Sequence, residues 1–262
     1  MPNNIFLEFG MFLLQLLIVI PGIYLAVIPH EVMHGYIAMK NGDYTAKNMG
    51  RLTMNPLKHI DIFGSIIMPL LLILLRSNII FAYAKPVPVN PLYFRNFKKG
   101  LRNTSLAGPG INLVIAFLLG SLYGFILFIY SLILRIPASV VLNLKLGIRD
   151  IQDFQDLIGN LSLSQANLSF FRVISMIFLY AIIINIFLAV FNFIPIPPLD
   201  GSKIVASFLP ESAMYKYLSI GRIGFFIIFI LLLLGGGIFW SFIYPLVNFL
   251  FLNLGFWWRF LI

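Results

Sequence analysis

Long apolar runs alternate with short polar, proline- and glycine-containing stretches along the chain, and that rhythm predicts membrane-spanning helices. Residues 5–40 form one apolar to amphipathic segment interrupted by Pro21-Gly22 and Pro29. As one straight helix it would exceed a hydrocarbon core of roughly 30 Å, so a kinked span is expected, with its second half from about residue 22 to 40. Asn41-Gly42-Asp43 is a helix stop, and the segment to Asp61 is polar and basic. Residues 62–75 are apolar but short for a crossing, with Gly64 and Pro69 inside. Residues 79–91 combine β-branched and aromatic residues with prolines that forbid helix, which predicts an extended element. A span over 104–134 follows, opening with Ala107-Gly108-Pro109-Gly110-Ile111-Asn112. Residues 135–169 are polar, and Ile148–Ile158 within them predicts a surface helix with Asp150, Asp153 and Asp156 on its solvated face. Residues 170–193 are another span, and 219–234 and 238–254 are two more, separated by Gly235-Gly236-Gly237. Trp257, Trp258 and Arg259 read as an interfacial anchor. The fold expected is an all-α polytopic membrane protein. It has about five spanning helices, a short re-entrant or spanning segment at 62–75 and a small β element. It forms a single membrane-embedded domain over 1–262, with its core at 22–205 and peripheral C-terminal helices at 219–254.

Composition agrees with that pattern. The chain has 262 residues, 60% hydrophobic and only 10% charged, and a mean hydropathy of +0.98, more apolar surface than a soluble domain hides. The formal charge is +9, from 18 Lys and Arg against 9 Asp and Glu. In a membrane protein such an excess reads as cytoplasmic cationic loops, not as a nucleic-acid surface. Residues 76–102 carry Arg76, Lys85, Arg95, Lys98, Lys99 and Arg102 with no acid, so they are expected inside; 41–61 is basic as well. Both loops share a side only if 62–75 dips in and returns, the reading favoured over a short crossing. The N-terminus lacks the basic region and cleavage site of a signal peptide, so the first apolar segment is expected to be retained. With no cysteine, a metal must be held by His and carboxylates.

Ionisable groups at membrane depth are few, which narrows the candidate chemistry. His30-Glu31-Val32-Met33-His34 reads H-E-x-x-H at the end of an apolar run. On a helix the two imidazoles stand one turn apart on one face, roughly 6 Å apart at Cβ, and can share one metal ion. Glu31 is about 100° round the helix from His30, within reach of a metal-bound water without being a ligand. Two neutral ligands, a carboxylate base and an open metal position are what metal-assisted hydrolysis requires. A third ligand is still needed. Glu211 follows Leu-Pro and looks like a helix cap, and His59 lies in a polar loop where a structural role is expected. Asp200 ends a span after the helix-breaking Pro195-Ile196-Pro197-Pro198 run, where a carboxylate is costly unless it meets a cation.

These residues resemble the site-2 protease family of intramembrane zinc metalloproteases, peptidase family M50, in its compact form without PDZ or CBS domain. The family shares H-E-x-x-H on one span and N-x-x-P-x-P-x-L-D-G on a later one; the latter is complete here from Asn192 to Gly201. Ala107-Gly108-Pro109 with Asn112, Gly42-Asp43, Gly50-Arg51-Leu52, Asn55-Pro56 and Ala84 to Asn90 are also similar to it. The resemblance covers roughly 22–115 and 170–205. It implies that His30, His34 and Asp200 ligate one Zn2+ per chain and that Glu31 is the general base activating the zinc-bound water. Asn112 and Asn192 would lie near the active site and hold the substrate backbone or the developing oxyanion.

The expected function is therefore hydrolysis of a peptide bond in or near the transmembrane segment of single-span membrane proteins. Partners would be a transmembrane protein or peptide substrate and the lipid bilayer, with no nucleic acid. The site would face the cytoplasmic side of a prokaryotic cell membrane. A peptide inside a membrane helix has its carbonyls already bonded, so the substrate must be unwound and held extended; the 79–90 segment could supply an edge for strand addition. Two other classes use the same ligands: a membrane zinc carrier or transporter, and a protease-like scaffold that binds without cutting. The absence of a ligand chain across the bilayer argues against the first, and the intact Glu31 against the second.

Overall fold

The computed structural model describes residues 5–74, 83–134, 166–221 and 236–255, together with Ile223, Gly224 and Phe226. These residues are helical apart from short connections, with no β-ladder among them. The helices are α1 (Ile5–Lys40), α2 (Thr45–Asn48), α3 (Met68–Leu74), α4 (Phe97–Leu134), α5 (Ala166–Phe193), α6 (Asp200–Ala206), α7 (Glu211–Ser219) and α8 (Gly236–Leu250). π-Helical turns precede α3 at Ile62–Ile67 and follow α8 at Phe251–Gly255. Among the described residues three helical stretches are long and apolar enough to cross a membrane: Leu16–Lys40, Phe97–Ile126 and Val173–Phe193. Ile62–Leu71 and Ser241–Gly255 are shorter apolar helices.

The expected architecture is met in its class and adjusted in detail. Helix α1 runs unbroken through Pro21 and Pro29, and α4 through Pro109. Residues 83–90 are non-helical, as their prolines require, yet they pair with no strand among the described residues; 79–82 lie outside them. The surface helix expected at 148–158, the span at 219–234 for the most part and the belt at 257–259 also fall outside the described residues.

The chain divides into two compact units. One comprises Met1–Ala26, Leu113–Phe187 and Tyr244–Ile262. In it small residues let helices touch: a Cβ on Gly22 would lie 2.9 Å from the Ala181 Cα. Tyr123 is buried and stacks on Phe178 with ring centroids 5.4 Å apart. Large apolar side chains such as Leu17, Leu118 and Phe125 face outward, as lipid-facing positions do.

The other unit comprises Val27–Asn112 and Leu188–Ile243. Ala38, Phe94, Leu101, Ala206 and Met214 form an apolar cluster in it, with Val89, Phe97 and Leu218 packed against them. Beside this cluster the irregular chain between α1 and α4 is tied down by charged side chains. Asp43 is fully buried, and its Oδ2 accepts from the Asn90 N–H at 2.6 Å while Oδ1 accepts from the Thr45 N–H at 2.9 Å. The buried Arg51 donates through Nη2 to the Lys85 and Pro86 carbonyls at 2.8 and 3.3 Å. The Lys85 N–H donates to the His59 carbonyl at 2.8 Å. Residues 85–90, which offer no helix or ladder to satisfy their own backbone, are thereby held from several sides.

Candidate metal centre

Helix α1 carries His30 and His34 four residues apart, so both rings leave one face. The rings stand edge to face, centroids 4.6 Å apart, with their Nε2 atoms 3.0 Å from each other. Asp200 opens α6 directly after the proline-rich turn that ends α5. Its Oδ2 lies 2.9 Å from His34 Nε2 and 3.3 Å from His30 Nε2. His30 and Asp200 are each only 4% exposed, so neither group is solvated by bulk water. Gly201 makes this approach possible: a Cβ there would sit 2.2 Å from the Phe193 carbonyl oxygen.

The far side of each ring decides what the near side can do. His30 Nδ1 lies 2.6 Å from Asn112 Oδ1, and His34 Nδ1 lies 2.7 Å from the Thr104 carbonyl oxygen. Both partners only accept, so each Nδ1 carries a proton and donates it. A neutral ring then presents a lone pair at Nε2. Two such lone pairs and a carboxylate oxygen converge on one point, an arrangement that electrostatics permits only around a cation or a shared proton. Burial alone would push the Asp200 carboxyl up, but the two imidazoles against its Oδ2 outweigh it and hold the carboxyl well below the usual range.

A metal ion meets the same need, and the donor set fits zinc. Two imidazole nitrogens and one carboxylate oxygen leave a fourth position open. Donors on a four-coordinate zinc stand roughly 3.3 Å apart, given bonds of about 2.0–2.1 Å, close to the separations found here. Helix α4 is shaped around the pair. Thr104, Gly108 and Asn112 recur every four residues and so share one face. The outer two supply the acceptors for the ring Nδ1 atoms. The middle one leaves the space: a Cβ on Gly108 would lie 2.5 Å from His34 Cε1 and Nε2 and 2.6 Å from His30 Cε1.

Glu31 stands beside the ligands with its Oε2 accepting from the Val87 N–H at 2.8 Å. A cavity of about 570 Å³ opens next to it, lined by His30, Glu31, His34, Asp200, Lys203 and Asn192 among its polar residues. Val87, Val89, Pro197 and Leu218 form part of its apolar wall. Asn192 turns its Nδ2 back to the Leu188 carbonyl at 2.9 Å. Asn112 lies apart from the cavity wall, fully buried behind His30. His59 is buried with its Nε2 2.9 Å from the Thr53 carbonyl oxygen and belongs to no metal-ligating group among the described residues. Glu211 begins α7, as a helix-start acid.

Sequence reasoning missed four contributors: Thr104, whose backbone carbonyl acts; Gly108, whose lack of a side chain acts; Val87; and Lys203, whose Nζ lies 3.1 Å from Asp200 Oδ1. The four-residue recurrence from Thr104 to Asn112 and the i, i+3 step from Asp200 to Lys203 were the available signals.

The model of "Peptidase family M50" matches residues 18–235. The chain belongs to that peptidase family. Among curated proteins it is similar to "Putative zinc metalloprotease YwhC" of Bacillus subtilis, 34% identical over 84% of this chain and 80% of that protein. It is also similar to "Putative zinc metalloprotease Rip2" of Mycolicibacterium smegmatis, 33% identical over 39% of this chain and 38% of that one. No solved structure matches it significantly. The M50 match spans every residue of the cluster, from the histidines on α1 to Asp200 and Lys203 on α6.

Proposed function

We propose that this M50 peptidase is an intramembrane zinc metalloprotease that cuts single-span membrane proteins in or near their transmembrane segment. The observation that carries the reading is the convergence of His30 Nε2, His34 Nε2 and Asp200 Oδ2 beside a carboxylate base that is not itself a ligand. His30, His34 and Asp200 hold one Zn2+ per chain. When bound, zinc lowers the pKa of a coordinated water to about 7 and polarises a carbonyl oxygen. Glu31 accepts the proton of the attacking water and returns it to the leaving amine. The Val87 N–H occupies Oε2 and keeps the carboxylate turned to the cavity. Asn112 and Thr104 fix the tautomer and tilt of the imidazoles. Asn192, on the cavity wall, contacts the substrate backbone.

A helical peptide has no free carbonyl to offer, so the substrate must lie extended in the cavity. Residues 83–90, clamped by Arg51, Asp43 and His59, form a rigid flank along which it is held by backbone hydrogen bonds. The protein lies in a prokaryotic cell membrane as one protease domain with its core at 22–205. The site sits toward the cytoplasmic side, where the basic segments and a supply of water are found.

The test is reconstitution in liposomes with a model single-span substrate. Cleavage is expected to need zinc and to vanish in Glu31→Gln while zinc content stays at one per chain. Undiminished cleavage by Glu31→Gln would contradict the mechanism. Zinc uptake into the vesicle lumen that Glu31→Gln leaves intact would favour a carrier.

A further inference from the structure

Asp200 divides its two carboxylate oxygens between different partners. Oδ2 faces both Nε2 atoms, and Oδ1 faces the Lys203 ammonium at 3.1 Å, one helical turn along α6. We propose that Lys203 is a positioning residue that restricts Asp200 to single-oxygen coordination and so keeps one metal position open for the reacting water. The inference rests on the zinc reading above.

The argument starts from what is already fixed. Gly201 packs against the Phe193 and Ile194 carbonyls, where a Cβ would come within 2.2 and 2.6 Å, so the α6 backbone lies close against the end of α5 at this point. The Ser202 hydroxyl and N–H both donate to the Leu199 carbonyl, at 2.6 and 3.1 Å, and tighten the same turn. What remains free is rotation of the carboxylate about χ2, a broad and soft torsion for aspartate. A carboxylate free to turn can offer both oxygens to one cation and fill two coordination positions instead of one. The charge-assisted bond from Lys203 removes that option by occupying Oδ1.

Among the described residues Asp200 is the acid that Lys203 pairs with; the Lys203 side chain is 42% exposed and borders the cavity. At that exposure the pair adds little to folding stability. Its effect is directional. The Lys203 side chain can therefore be changed without expectation of unfolding, which makes the idea testable.

The experiment compares wild type, Lys203→Met and Lys203→Arg as full-length protein in detergent, loaded with Co2+ in place of Zn2+. Visible absorption reads the coordination number, and zinc-loaded samples give kcat and KM on a single-span substrate. Lys203→Met is expected to bind one metal per chain, to show bands of higher coordination number, and to lose about 10- to 100-fold in kcat at little-changed KM. Lys203→Arg is expected to restore the wild-type spectrum and most of kcat. A Lys203→Met spectrum identical to wild type overturns the inference whatever the activity does, and a change confined to KM assigns Lys203 to the substrate and overturns it equally. If wild-type protein takes up neither Co2+ nor Zn2+, the metal reading itself fails, a result separate from either of these.

Discussion

Gly108 offers the sharpest test of how helix α4 is built around the histidines. Replacing it by alanine adds one methyl group, 2.5 Å from two atoms of the His34 ring and 2.6 Å from one of His30. Ordinary carbon contacts need about 3.5–4.0 Å, so both rings must retreat by about an ångström. Neither can do so while its Nδ1 keeps the bond to Thr104 or Asn112. Overpacking of this kind costs about 1–3 kcal/mol, against a helix-propensity gain of about 0.8–1.0 kcal/mol for replacing glycine. The net stability change is therefore small, between about zero and 2 kcal/mol. The metal site suffers more, because losing the partners that orient the ligands costs about 10- to 100-fold in affinity, or about 1.4–2.7 kcal/mol. Zinc affinity measured by competition with a chromophoric chelator, beside helicity by circular dichroism, separates the two effects. Gly110→Ala is the control, since a Cβ there meets nothing within 4 Å; it is expected to bind zinc as wild type does. A Gly108→Ala protein that binds zinc as tightly as Gly110→Ala would refute the packing argument.

Other expectations follow from the same geometry. Asn112→Ala strips the acceptor from His30 Nδ1 and is expected to weaken zinc binding about 10- to 100-fold without touching the cavity wall, as chelator competition would register. Asp43→Ala leaves the Asn90 and Thr45 N–H groups without their acceptor and is expected to lower stability by about 1–3 kcal/mol per group stranded, read as a shifted denaturation midpoint in detergent.

The class of fold and the pairing of the two histidines were legible in the sequence because both rest on local rules. Apolar runs long enough to cross a bilayer mark spans wherever they occur, and a four-residue step between histidines on a helix puts them together whatever surrounds them. Asp200 was reachable by a different route: a carboxylate after a proline-broken span is costly unless it meets a cation, and the resemblance implied a metal-binding role for it. What stayed hidden depends on groups without a side-chain signature. The Thr104 carbonyl and the Val87 N–H belong to the backbone, and Gly108 acts through a missing atom. The resemblance implied that Asn112 lies near the active site and holds substrate or oxyanion; its Oδ1 meets His30 Nδ1, a partner the sequence did not name. At 79–91 prolines exclude helix, as expected, and side chains of Glu31, Asp43 and Arg51 hold backbone groups of residues 85–90, contacts that no local pattern announces.

The central claim is that one ion sits among two imidazoles of α1 and the aspartate that opens α6. Diffraction data from zinc-loaded crystals, collected just above and just below the zinc absorption edge, locate that ion without assumptions about the ligands. The account predicts one anomalous peak per chain, within bonding distance of His30 Nε2, His34 Nε2 and Asp200 Oδ2. A peak elsewhere, or one bonded to the histidines with Asp200 turned away, would contradict it.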